Sequence, residues 1–496
     1  MDNVDNLINI LWISSIGSYA GNYTPDSCYA YYEEREVTVL ITFGENGWFG
    51  VISDEVGFEN INIIAQAAAD YLNDTTHPGL VVLGYDTRFL SREYAWSIQR
   101  VLTANRIQVF MHKKPIPTAF LSMSVKKYQA DLGIMVTGES RPARYSGLSF
   151  HLPSGRPVNH CWMDILFQYL YRRYPRSSED GKHLLEYMDF FPDYVEKMEK
   201  FIDIKSFCSK NPYLTSDSFF GSVGTYFQDM MKKWEINGTH IRTKPNPGFM
   251  DCVPSPNNRN MHPVSRLTSQ KKGDIGFFFN GDGSALGAVS PDGRIISSIE
   301  ASALLLDEWF QTRGCDFDVY TEIFTANCAH ELLNDFGIKA YPLHKLQEDS
   351  KSWDRAIIWD RNGLTFGPFH PDKDGILQSL LLTQALLRNN LDWNKCTERM
   401  ETLTRGSVVE LRTIHLDSNA WDRKERTLLT KAESLESGKL VQWLEEGESR
   451  KLCFQGGFWA GLSYNAAESS LSLFCETTGQ QKAEEIIPEF LNWLME

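Results

Sequence analysis

The chain contains no run of about 18 apolar residues, so no transmembrane helix is expected. It has no basic cluster either: 49 Lys and Arg stand against 64 Asp and Glu, for a formal net charge of -15. A surface of that sign repels phosphate backbones and anionic lipid, so neither nucleic acid nor a membrane is expected as a partner. The nine cysteines lie singly at 28, 161, 208, 252, 315, 328, 396, 453 and 475, without a CxxC pair or a ligand spacing to histidine. They read as isolated thiols in a reducing compartment. Low-complexity segments are lacking, and Asp2 and Asp5 stand where a secretory signal would carry positive charge. A cytoplasmic location is expected.

What is present is an ordinary globular composition, 42% hydrophobic and 23% charged, over 496 residues. That length exceeds one hydrophobic core and predicts about three or four units with clefts between them. "VTVLITFG" and "LVVLGYD" read as strands, and Ile61, Ile64, Ala65, Ala68 and Leu72 between them share one helical face. A helix ending near Asn105, a strand, a helix after Pro117 and the strand "DLGIMV" continue the alternation, which is that of an α/β fold. The loop "TGESRPARYSG" therefore follows the carboxyl end of a strand, where open α/β sheets bind ligands.

A helical stretch is predicted at about 183–206. The next unit opens with "YLTSDSFFGSVGTYFQDMMKKW" and ends in "DIGFFFNGDGSALGAVSPDGRII", two strands joined by a Gly/Asn/Asp turn. A third runs from the helix "ASALLLDEWFQTRG" through the apolar helix after "HPDKDG", and the last closes with a helix rich in Ile, Leu and Trp.

In order along the chain, "FGENGWFGVI", "VVLGYDTRFLS", "PIPTAFLS", "GIMVTGES", "NGDGSALGAV", "PDKDGILQSLLLTQAL" and "YNAAESSLSLFCE" resemble the α-D-phosphohexomutase superfamily of phosphoglucomutases and phosphomannomutases. The resemblance implies three mixed α/β domains and a smaller C-terminal α+β domain around a central cleft. The expected bounds are an extension at 1–36 and domains at 37–200, 201–297, 298–408 and 409–496. It also implies a chemistry in which a phosphorylated serine, Mg²⁺, a sugar loop and a phosphate loop move a phosphate between sugar hydroxyls.

At the place of the family's TASHNP stand Thr137, Gly138, Glu139, Ser140, Arg141 and Pro142, which puts Glu139 at the phosphoserine position. A carboxylate cannot accept and return a phosphoryl group. Ser140 serves as nucleophile only if the loop slips by one residue. For DGDxDR the chain has Asn280, Gly281, Asp282, Gly283, Ser284 and Ala285. Asp282 and Asn280, with Glu139 standing in for the phosphoserine, would leave a weak Mg²⁺ site; the alternative is an Asn-Gly-Asp-Gly turn, and no cofactor is otherwise expected. The sugar loop becomes Trp359 and Asp360, with Trp359 either stacking on a ligand or simply buried. Lys345 matches a family lysine near the cleft or is a surface lysine, and Glu468 remains in a phosphate loop whose arginines are gone.

Two readings follow. One is a non-catalytic relative that binds an unknown small molecule in the central cleft, or a partner protein. The other is a repurposed enzyme on an unphosphorylated substrate, with Glu139 as acid/base, Arg141 or Arg144 tuning it or holding an anionic group, and Asp282 or Asp360 as second carboxylate. A residual sugar-phosphate mutase is the third.

Overall fold

The computed structural model describes residues 41–44, 46–76, 79–178, 180–346, 350–360, 363–416, 418–433, 439–446, 449–455, 457–465 and 470–478, with Pro488 and Asn492. The expected extension at 1–36, the closing helix, Glu45, Arg361, Asn362 and Glu468 lie outside the described residues.

The first sheet is built from β1 (Gly47–Val51), β2 (Leu80–Tyr85), β3 (Gln108–Met111), β4 (Leu132–Val136), β5 (Tyr145–His151) and β6 (Leu185–Tyr187), in the order β1-β5-β4-β2-β3-β6. Its β4, β2, β3 and β6 run parallel, while β5 and β1 are antiparallel neighbours at one side. The helices are α1 (Phe58–Thr75), α2 (Ser91–Ala104), α3 (Thr118–Lys127), α4 (His160–Phe167), α5 (Phe191–Phe201) and α6 (Ile204–Lys210). The apolar stripe read from the sequence is the buried face of α1, with Ile61, Ile64, Ala65, Ala68 and Leu72 all inside.

The expected strand "VTVLITFG" is not formed where it is described: residues 41–44 are irregular and β1 begins at Gly47. Only the later segment finds a ladder, with Phe49 opposite Gly147. The single helix expected at 183–206 is also broken. Leu185–Tyr187 pairs with β3 instead, and α5 starts late, with Pro192 in its first turn.

The second sheet contains β7 (Leu214–Asp217), β8 (Gly238–Ile241), β9 (Ile275–Phe279), β10 (Leu286–Val289) and β11 (Ile295–Ile296), with α7 (Tyr226–Lys233) and α8 (Asn258–Lys271). In the third, α9 (Ser298–Arg313), α10 (Asn327–Asp335), α11 (Ser350–Arg355), α12 (Gly375–Arg388) and α13 (Trp393–Thr404) accompany β12 (Asp318–Thr321), β13 (Ala340–Pro342), β14 (Ala356–Asp360) and β15 (Gly363–Phe366). Both sheets mix parallel and antiparallel ladders.

The fourth sheet is wholly antiparallel, β16 (Ser407–His415), β20 (Ser470–Thr478), β19 (Trp459–Asn465), β18 (Ser449–Phe454) and β17 (Leu440–Glu446), with α14 (Ser418–Glu433) beside it. It begins at Ser407. The architecture is thus three mixed α/β units followed by a smaller α+β unit.

Helix α12 ties the units together because it is buried on every side, each residue from Gly375 to Leu387 lying inside. Asp374 caps it by accepting from the Leu377 N–H (2.9 Å) and receives the Tyr194 hydroxyl of α5 (2.7 Å). The Gly375 N–H donates to the Gly283 carbonyl of the second unit (2.9 Å). Among the described residues no helix is long and apolar enough to cross a membrane.

Candidate functional site

β2 and β4 are parallel neighbours, with Tyr85 opposite Val136, so the segments that follow them emerge side by side. After β2 come Asp86 and Arg88, both buried and paired at 3.1 Å. The Arg88 guanidinium donates to the carbonyls of Glu139 (2.7 Å), Arg141 (2.8 Å), Pro142 (2.7 Å) and Tyr145 (3.0 Å). Asp86 balances that charge, accepting from the Ser91 hydroxyl (2.7 Å) and the Gly138 N–H (3.2 Å). One buried arginine thus holds the whole loop after β4. Gly138 is required beside it, since a Cβ there would lie 2.6 Å from the guanidinium carbon.

Within this cradle Glu139 adopts φ 51°, a left-handed conformation uncommon for a residue with a side chain. The Thr137 hydroxyl accepts its N–H (2.9 Å), and the Arg88 bond to its carbonyl fixes the other side of the peptide. The half-buried carboxylate accepts from Asn46 (3.2 Å) through one oxygen and from Arg141 (2.9 Å) through the other. The Arg141 guanidinium also lies over the Phe49 ring at 3.9 Å, so its plane is fixed by β1.

Ser140 faces the other way. Its exposed hydroxyl accepts from the Asn280 amide of the second unit at 3.1 Å. Asn280 and Asp282 are buried in the turn between β9 and β10. The Asn280 oxygen accepts the Ala285 N–H (2.9 Å). Asp282 accepts the Ser284 N–H (3.1 Å) and hydroxyl (2.7 Å) on one oxygen and the Thr118 hydroxyl (3.1 Å) on the other. Burial pushes the Asp282 carboxyl up from its ordinary value; the Ser284 hydroxyl counters this, and the nearby charge of Glu139 adds to the rise.

These donors are a poor set for a resident Mg²⁺: Glu139 and Asp282 are the carboxylates at this seam, Glu139 is already paired with the Arg141 cation, and among the described residues no three His, Cys, Asp or Glu side chains gather as a metal site. The turn that the sequence offers as an alternative to a cation cage has the satisfied geometry of a structural turn.

The structure thus gathers Glu139, Ser140, Arg141, Asn280 and Asp282 at the seam of the first two units. Arg144 is exposed on the same loop, its guanidinium 5.5 Å from the Tyr145 ring centre. The other predicted residues lie elsewhere. Of the two readings of Trp359, the structure places it buried, 3% exposed within the apolar core. Asp360 pairs with Lys373 at 2.6 Å, and Lys345 is exposed on the turn Leu343–Lys345.

Asn46, Asp86, Arg88 and Thr118 belong to the site although sequence reasoning did not single them out. Asp and Arg two apart, just past an apolar strand, were the available signal in "GYDTR". A Ser122, His370, Asp374 array has the order of a hydrolytic triad but is wholly buried. There the Ser122 hydroxyl donates to the Gly155 carbonyl (2.6 Å) and His370 Nδ1 receives the Asp372 N–H (3.3 Å), so it is a junction between units one and three.

Residues 40–167 match the family model for phosphoglucomutase/phosphomannomutase, alpha/beta/alpha domain I. A phosphoglucomutase/phosphomannomutase of Thermococcus kodakarensis is 20% identical over 455 residues, covering 90% of this chain and 96% of that protein. A Staphylococcus epidermidis phosphoglucomutase is 28% identical over 158 residues, 31% of this chain and 28% of its own length. In three dimensions the fold is shared with Paramecium parafusin, described as a phosphoglucomutase in its open form, at TM-score 0.75 and 15% identity, over 92% of this chain and 96% of the other.

Proposed function

From a chain that belongs to the α-D-phosphohexomutase superfamily, we propose a protein that keeps the four-unit frame but binds a ligand or a partner at the Glu139 cleft instead of transferring phosphate. The observation that carries this reading is the Glu139 carboxylate, bonded to Arg141 and Asn46 on the loop where the family places its phosphoserine. A carboxylate in that place engages the local donors and has no hydroxyl to phosphorylate. The pairing of Glu139 with Arg141 and the lack of three gathered ligand side chains among the described residues support the same reading, since phosphoryl transfer relies on a cation to neutralise charge as it develops.

A thermal-shift panel of sugars, sugar phosphates, nucleotide sugars and amino acids, with and without Mg²⁺, tests it. A true ligand at about 100 times its dissociation constant adds ~2.7 kcal/mol, a readily measured shift. Stabilisation only by sugar phosphate with Mg²⁺ would contradict the proposal.

A second reading is favoured by one pair of groups. Half-exposed Glu139 stands near fully buried Asp282, whose carboxyl holds its proton more tightly because of burial. Two carboxyl groups in unlike environments can divide acid and base roles, which suits a repurposed enzyme acting on an unphosphorylated substrate. For that reading Glu139→Gln abolishes turnover of any substrate the panel finds; for a binding protein it alters affinity alone.

A further inference from the structure

The first three sheets share one strand order. β5, β4, β2 and β3 lie side by side in the first, β10, β9, β7 and β8 in the second, and β15, β14, β12 and β13 in the third. In each the first of these is antiparallel to its neighbour and the others run parallel. The first sheet then goes one strand further, because β6, which comes from much later in the chain, pairs parallel with β3 and closes that edge. Among the described residues no strand takes the equivalent place beside β8 or β13. β13 ends in Pro342, which has no N–H to offer, so β8 is the edge better able to pair.

Beside β8 that place is shaped and charged. The Leu214 N–H donates to the Asn237 carbonyl and the Ser218 N–H to the Ile241 carbonyl. By the period of two, Thr239 also turns its peptide groups toward β7, while Gly238 and His240 turn theirs outward, as a strand ready to be paired does. Helix α8 packs over β9, β7 and β10, burying Met261, Val264 and Thr268, and leaves β8 at its margin. A groove of about 350 Å³ opens there, lined by Ile241, His262, Pro263, Arg266, Leu267 and Gln270. Ile241, Pro263 and Leu267 make it apolar, Arg266 gives it a cation, and no carboxylate lines it. On a chain of net charge -15, the 14 residues of α8 hold Arg259, Arg266 and Lys271 and no Asp or Glu. An anionic partner is drawn to this face and repelled by most others.

We propose that the outer edge of β8 and the groove beside it take an extended acidic segment of a partner protein, added as a strand parallel to β8 as β6 is to β3. An apolar side chain of that segment lies against Ile241, Pro263 and Leu267, and a carboxylate pairs with Arg266. β6 itself alternates in this way, as Leu185, Glu186 and Tyr187. The site is on the second sheet and does not depend on what the Glu139 cleft binds.

Panning displayed random heptapeptides on the immobilised full chain tests it. Enriched peptides should alternate apolar residues with Asp or Glu, and a synthetic copy of the strongest should bind the chain in fluorescence polarisation. Arg266→Glu, a change at an exposed side chain, should leave the melting temperature in place and weaken that binding by about tenfold or more. N-methylation of one alternate set of peptide residues should abolish binding and of the other set should not, since only one set donates to β8. No enrichment, enriched peptides without acidic residues, or an affinity indifferent to Arg266→Glu or to the choice of methylated set would overturn the proposal. A dimer of the peptide-free chain broken by Arg266→Glu would also overturn it, making a second copy the occupant.

Discussion

At Glu139 a left-handed backbone and an ionic side chain coincide, and the two have separate causes. The conformation is imposed by Thr137 and Arg88 on the peptide, whereas the carboxylate is engaged by Asn46 and Arg141. Because the Glu139 and Arg141 side chains are 30% and 23% exposed, their pair contributes little stability. Glu139→Gln should therefore change urea-unfolding stability by less than about 1 kcal/mol while altering ligand response. Gly138→Ala should do the reverse: with a Cβ 2.6 Å from Arg88, about 1–3 kcal/mol of stability should be lost, read from the urea midpoint.

His240 gives a pH prediction at the same scale. Burial lowers its pKa from 6.5 to about 4, and it is bonded to the Ser216 hydroxyl at 2.7 Å. Between those values the unfolded chain takes up a proton that the folded chain refuses. Its contribution is thus present above pH 6.5 and lost as pH falls toward 4, at most about 3 kcal/mol. In His240→Asn the acid limb of the melting-temperature profile should flatten across that window; an unchanged limb would rule His240 out as its source. Glu139, Ser140 and Asp282 could be read from the sequence because their motifs are local. Arg88's hold on the loop could not, since the four carbonyls it binds lie more than 50 residues away.

At the scale of elements, the site is a loop held from the neighbouring strand's end. Arg88→Met should leave Asp86 as a buried unpaired charge and release four carbonyls, costing about 3–5 kcal/mol. In a cycle with Asp86→Asn the double variant should be less damaged than the sum of the singles, as expected for coupled groups; additive losses would mean that the two act independently. Helices such as α1 and α12 were legible because their apolar runs are local, whereas α9 was read only from Ala301 and its Ser297–Glu300 capping box went unread. β1 was not legible, because "VTVLITFG" has the stronger strand composition and only the β5 ladder selects Gly47–Val51. The break in the 183–206 helix was written in Pro192, whose place in a first turn is intelligible once Leu185–Tyr187 is seen to pair with β3.

At the scale of the molecule, motif order carried the architecture, and the four sheets agree with it. Interfaces were the illegible part. The Asp282–Thr118 contact between units one and two, the Gly375–Gly283 contact between two and three, and the stacking of Phe324 on Phe474 between three and four join residues far apart in sequence. None has a local pattern to announce it. Trp359 shows the same limit, since a tryptophan in a ligand loop and one in a core look alike until packing is known.

The central claim is that no phosphoryl group passes through the loop at Glu139. It is tested most directly by intact mass and peptide mapping of the full chain after incubation with a hexose 1,6-bisphosphate and Mg²⁺. The account predicts an unmodified mass and an unmodified peptide spanning residues 137–145; a phosphoryl group found on that peptide, at Ser140 above all, would contradict it.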